Sequence, residues 1–227
     1  MIGTNKVSGF AIALALLFAG TVNATEVTKE GEISLPLPVI DEGGLHKQPW
    51  FQETFFDLNE DLAEAKSQGK RLVIIWEQRG CPYCKKTHEI NFRIPRIANY
   101  VKDNFFVLQL NMWGDREVTD FDGETLSEKD FARKNRVLFT PTFQFFPEDP
   151  NQARGNPAWR AEVHRMPGFF WPFHFYFQFR YVKENGYVEQ PSFQRWLDGQ
   201  GDKLRAAGME NVEEALQAES LHLPKGF

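Results

Sequence analysis

The join at residues 71 to 86 constrains this chain most: Arg-Leu-Val-Ile-Ile-Trp-Glu-Gln runs into Arg-Gly and then Cys-Pro-Tyr-Cys-Lys-Lys, with the only two cysteines at 81 and 84. A continuous apolar run rich in β-branched residues fits a strand buried on both faces. Cys81 then falls where a helix begins, and Pro82 suits the first turn because its missing N–H would be unpaired there anyway. A strand covered on both faces needs helices on both sides, so the expected class is α/β.

The rest of the chain alternates accordingly. Residues 53 to 70 carry apolar positions 55, 58, 62 and 65, the spacing of an amphipathic helix, with Gly69 as its stop. After the cysteines a helix is expected that Pro95 breaks or kinks, then a strand over 105–112 and a helix over 127–135 opening on a Ser-x-x-Asp cap. A third strand is expected over 140–146, a turn over 148–157, a fourth strand over 161–170, and helices over 172–185 and 191–206. No internal repeat is visible.

The ends differ from this core. Lys6, the apolar run 9–20 and the small residues around 22–24 read as an export signal cleaved after Ala24; the run is too short to span a bilayer comfortably. Residues 25–52, with Pro36, Pro38, Pro49 and Gly43-Gly44, read as an extended lead-in, residues 53–207 as the domain and 208–227 as a tail. The net charge is −5, and loss of Lys6 would make it −6, so nothing invites nucleic acid or an anionic membrane surface. With 22 Phe the chain has ample material for a core. A protein exported to the periplasm, and not embedded in the membrane, is the expectation.

Export changes the meaning of the cysteines, because disulfides persist in an oxidising compartment. A bridge between residues 81 and 84 closes a very small loop and removes little unfolded-state entropy, which weakens a purely structural role. Covalent haem attachment needs His after the second Cys, where Lys85 stands. Closed zinc coordination needs four ligands, and only Cys81, Cys84 and His88 are at hand; the same three remain as an alternative site for Cu(I) or zinc in a metallochaperone. Cys-x-x-Cys at a strand–helix junction favours thiol–disulfide exchange. In that reading the helix N-terminus, with Lys85 and Lys86 nearby, stabilises an exposed Cys81 thiolate as nucleophile. Cys84, one turn deeper, resolves the mixed disulfide.

Thr140-Pro141 opens the third strand, a position where proline is tolerated. The order strand, Cys-Pro-Tyr-Cys, helix, strand, helix, Thr-Pro, strand, strand, helix resembles the thioredoxin superfamily. Two longer stretches, 109–146 and 165–197, are similar to the SoxW-type periplasmic thioredoxins, and the likeness covers roughly 70–198. It implies a mixed sheet of about four to five strands flanked by helices, with an added C-terminal helix. It also implies a cis-proline at Pro141, and a substrate groove formed by Thr140, Pro82 and Tyr83 in which an extended segment pairs with the backbone before Pro141. The activity implied is protein-disulfide reduction without a cofactor. A membrane thiol-electron transporter would be the donor, and a partner in thiosulfate oxidation, such as the sulfur carrier SoxYZ, the acceptor. A DsbA-like oxidase or isomerase would share the fold and the motif.

The chain departs from the superfamily in one telling place. Many cytoplasmic thioredoxins carry a buried Asp six residues before the first Cys, and here Ile75 stands there. Glu77 and His88 are the candidate proton acceptors for Cys84, His88 sharing its helix face at i+4, although both residue types more often sit in water. Cys-Pro-Tyr-Cys also occurs in glutaredoxins, whose Gly-Gly pair after Thr-Pro is missing here. The nine aromatics within 168–181 are expected mostly in the core, with a docking patch as the alternative. The acidic stretch 114–124 lacks calcium-loop spacing and reads as a solvated loop, with partner recognition as the alternative.

Overall fold

The structure, a computed structural model, describes residues 1, 3 and 30–227; the expected signal segment 1–24 otherwise lies outside the described residues. The stretch expected as an extended lead-in contains an antiparallel hairpin, β1 (Val39–Ile40) and β2 (His46–Lys47). Asp41 closes its turn, accepting from the Leu45 amide at 2.9 Å, while Gly44 takes the left-handed φ of +79° that the turn needs.

Helix α1 (Leu58–Ser67) starts where Asp57 accepts hydrogen bonds from the Asn59 and Glu60 amides. Leu58, Leu62 and Ala65 are buried as their spacing requires, but Phe55 is 98% exposed, since it lies ahead of the cap and not on the helix. All seven residues of β3 (Arg71–Glu77) are buried. Helix α2 (Pro82–Glu89) ends in a 3₁₀ turn over Asn91–Arg93, and Pro95 starts a separate helix, α3 (Pro95–Asn104), so the expected break is complete.

Then follow β4 (Phe105–Asn111), a hairpin of β5 (Glu117–Thr119) and β6 (Thr125–Ser127), and α4 (Glu128–Lys134), with Ser127 capping the Asp130 amide. The reading of the acidic stretch as a solvated loop fails at its centre. Asp120 is fully buried, accepts from the amides of Phe121 and Ala158 at 2.8 and 2.9 Å, and shares Lys134 with Asp122 and Glu124. Desolvation pushes the Asp120 carboxyl up and is opposed by Lys134.

Beyond β7 (Thr142–Phe145), the expected turn holds α5 (Pro150–Ala153), and α6 (Ala158–Ala161) replaces the start of the expected fourth strand, which shrinks to β8 (His164–Pro167). Helices α7 (Pro172–Lys183), α8 (Gly186–Glu189), α9 (Phe193–Ala206) and α10 (Val212–Ala215) complete the chain.

The central sheet runs β4-β3-β7-β8, with β3 parallel to β4 and the other pairings antiparallel. Alternation along β3 divides two cores. Val73 and Ile75 face the larger one with Phe143, Phe145, Phe175 and Phe179, whereas Leu72, Ile74 and Trp76 face the other with Leu62 and Phe131. Six of the nine aromatics of 168–181 are buried in the larger core, and Phe169, Phe170 and Trp171 stay half-buried. Leu221 and Leu223 of the C-terminal stretch also pack into that core. The architecture is a thioredoxin-like α/β fold with additional C-terminal helices. No helix among the described residues is long and apolar enough to cross a membrane.

Candidate active site

Gly80 takes a left-handed φ of +73° at the end of the β3–α2 connection, a conformation glycine adopts without strain. Cys81 follows as the cap of α2: its sulfur accepts from the Cys84 amide at 3.0 Å, and Pro82 fills the first turn. The two cysteines are joined as a disulfide, with Cα atoms 5.2 Å apart. Cys81 is 5% exposed and Cys84 1%, so both are buried in the disulfide, and Cys81 is far less open than the exposed thiol expected from the sequence. Pro82 and Tyr83 stand out in solvent beside it.

The Thr140–Pro141 peptide is cis. Thr140 brings two groups to Cys81: its hydroxyl donates to the sulfur at 3.3 Å, and its carbonyl oxygen lies 3.4 Å away. The Pro141 carbonyl is taken by the Gly168 amide at 2.7 Å; among the described residues no other backbone group bonds to the amide or carbonyl of Thr140. Around this opening Trp113, Leu138 and Phe139 are at least half exposed, and the Trp113 indole donates to Gln78 at 2.7 Å. Lys85 pairs loosely with Glu89, and Lys86 lies over the rings of Phe169 and Trp171.

Glu77 and His88 correct the expectation of solvated side chains. Neither is more than 1% exposed, and His88 Nε2 lies 3.1 and 3.2 Å from the two Glu77 carboxylate oxygens. The cause is tertiary. Glu77 ends β3 and His88 lies in the second turn of α2, so the tight connection folds one over the other. Gln109 of β4 donates to the same carboxylate, and the Gln48 side chain lies 3.2 Å from His88 Nδ1. Both ring nitrogens of His88 are therefore engaged, and the triad of Cys81, Cys84 and His88 imagined for Cu(I) or zinc is not presented. No group of three or more His, Cys, Asp or Glu among the described residues is disposed to hold a metal ion.

Gln48 and Gln109 escaped sequence reasoning. An interior Gln in the apolar strand 105–112 is a signal that something polar must meet it. Gln48, in a proline-rich stretch forty residues from His88, offers none.

Residues 58–157, less than half of the chain, match the family model described as a thioredoxin-like domain. Among solved structures, a thioredoxin-fold protein from Helicobacter pylori is similar at 15% identity and a TM-score of 0.45, over 65% of this chain and 97% of its own. A thioredoxin from Thermus thermophilus is similar at 24% identity and a TM-score of 0.41, over 56% of this chain and 84% of its own. No curated protein matches. The chain thus contains a thioredoxin-like domain, with a Cys-x-x-Cys pair of the kind that serves a thiol–disulfide oxidoreductase.

Proposed function

We propose that this protein is an exported dithiol–disulfide reductase of the SoxW type, keeping a partner protein's cysteine reduced during sulfur-compound oxidation in the periplasm. The observation that carries the redox part is the asymmetry at the disulfide: Cys81 caps α2 and receives hydrogen bonds from the Cys84 amide and the Thr140 hydroxyl, while Cys84 is buried beneath it. Export rests on the apolar run 9–20 after Lys6, and the SoxW likeness rests on the stretches 109–146 and 165–197. SoxYZ as acceptor and a membrane thiol transporter as donor follow from that likeness alone.

In the reduced protein the Cys81 thiolate attacks a partner disulfide, forming the mixed disulfide and releasing one partner thiolate, which takes up a proton. Cys84 then loses its proton and attacks the Cys81 sulfur. The Cys81–Cys84 bond forms, the bond to the partner breaks, and the second partner sulfur leaves as thiolate. Two electrons pass to the partner. Because no backbone group among the described residues takes the Thr140 amide or carbonyl, an extended partner segment would pair there beside Cys81.

One observation favours a second reading. Donors aimed at the Cys81 sulfur stabilise its thiolate, and stabilising the reduced form is what makes a DsbA-like oxidase oxidising. Cys84→Ser tests exchange itself: partner proteins should accumulate in cells as mixed disulfides through Cys81 and disappear on reduction or in Cys81→Ser. Absence of any such species would sink both readings.

A further inference from the structure

The buried Glu77–His88 pair is completed from outside the family domain. Three links tie it to the N-terminal hairpin and the residue after it. The Gln48 side chain lies 3.2 Å from His88 Nδ1. Gln109 donates both to Glu77 and, at 2.6 Å, to the His46 carbonyl, so it clamps β2 against the carboxylate. The His46 ring lies 5.7 Å from the His88 ring, and Phe51 and Phe92 stand against the same imidazole at 5.7 and 5.4 Å.

Hydrogen-bond geometry favours one tautomer. His88 Nε2 faces both oxygens of Glu77, and an ionised carboxylate can only accept, so against it Nε2 is the donor. Nδ1 is then an acceptor, and the Gln48 amide NH₂ is the donor facing it. A glutamine suits this place because it carries both kinds of group. Turned over, it offers Oε1 instead, and accepts from Nδ1–H when the imidazole is charged. Leucine would satisfy neither state, and a glutamate only the charged one.

We propose that Gln48 is a positioning residue for the resolving step, its amide holding His88 in the tautomer that donates to Glu77 and turning over when the pair takes the proton of Cys84. The proposal rests on the thiol–disulfide exchange described above. Cys84 S–H gives its proton to the pair, which then stands as imidazolium and carboxylate. The Cys84 thiolate forms the bond to Cys81, and the partner leaves with the electron pair of the broken bond. Glu77 faces His88 directly, and the charged or titratable groups acting on the neighbouring His46 are His88, Glu77, Glu89 and Lys85; the His46 imidazole is held below its ordinary value by burial and by His88.

The test uses the full chain with Gln48→Leu and Gln48→Glu. The rate of the resolving step is measured against pH by the decay of a mixed disulfide between Cys81 and 5-thio-2-nitrobenzoate, and ¹⁵N shifts of the His88 ring report its tautomer. Gln48→Leu should lower the neutral-pH rate about tenfold and mix the two tautomers. Gln48→Glu should move the rising limb of the profile to higher pH, because it favours the proton-holding state. Profiles that overlay the wild type in both variants would overturn the proposal, as would unchanged ring shifts. A wild type that never resolves the mixed disulfide would instead strike the exchange reading, while the ring shifts would still judge whether Gln48 sets the tautomer. Should Gln48→Glu fail to fold, Gln48→Leu alone decides.

Discussion

Glu77 and His88 stand eleven residues apart in the chain and 3.1 Å apart in the fold, with neither side chain more than 1% exposed. A buried carboxylate survives because its partners replace the water it lost.

The losses from removing each member should therefore not add. His88→Leu leaves Glu77 with one donor fewer in a dry site, for an expected loss of about 3–5 kcal/mol. Glu77→Gln with His88→Leu should cost less than the sum of the single changes. Urea unfolding of the four proteins in a double-mutant cycle measures the difference, and additive losses would show that the pair is not coupled.

Thr140 should tune the nucleophile. Its hydroxyl is one of two donors aimed at the Cys81 sulfur, the other being the Cys84 amide. Thr140→Val keeps the shape and removes one donor, so alkylation of reduced Cys81 should shift to higher pH, by about one unit or less. Iodoacetamide rates across pH check this, and an unchanged profile would mean that the hydroxyl contributes nothing to the thiolate.

Asp61 makes a prediction away from the site. It is 3% exposed in the first turn of α1, its Oδ2 has no hydrogen-bond partner, and burial pushes its carboxyl up from 3.8 to about 7. A folded-state value above the unfolded one favours folding fully below the unfolded value, and that contribution fades as pH rises from 3.8 to about 7. Asp61→Asn should flatten this slope and be more stable than wild type at pH 8. Thermal unfolding between pH 4 and 8 measures it; parallel curves for the two proteins would contradict it.

Legibility followed locality. The run over 71–77, the cysteines at the helix start, the break at Pro95 and Thr140-Pro141 were readable because each depends on neighbours in sequence: a continuous apolar run, a proline at a helix start, a proline at a strand start. What escaped depends on distant partners. Nothing near Glu77 or His88 says that Gln48 and Gln109 will meet them, so two polar residues looked like surface. The hairpin over 117–127 was hidden because the acidic residues of its turn converge on Lys134, a contact invisible to periodicity. Phe55 kept the helical spacing and lost the helix, because Asp57 caps two residues later.

The direction of electron flow is the centre of this account, and the reduction potential of the Cys81–Cys84 pair tests it most directly. The chain from residue 25 onward would be equilibrated against dithiol buffers and read by the mass shift of trapped thiols. A value at or below about −220 mV, toward the thioredoxin end of the range, is the expected result for a reductant. A value near about −120 mV would contradict it, and would make the hydrogen bonds onto Cys81 the signature of an oxidase.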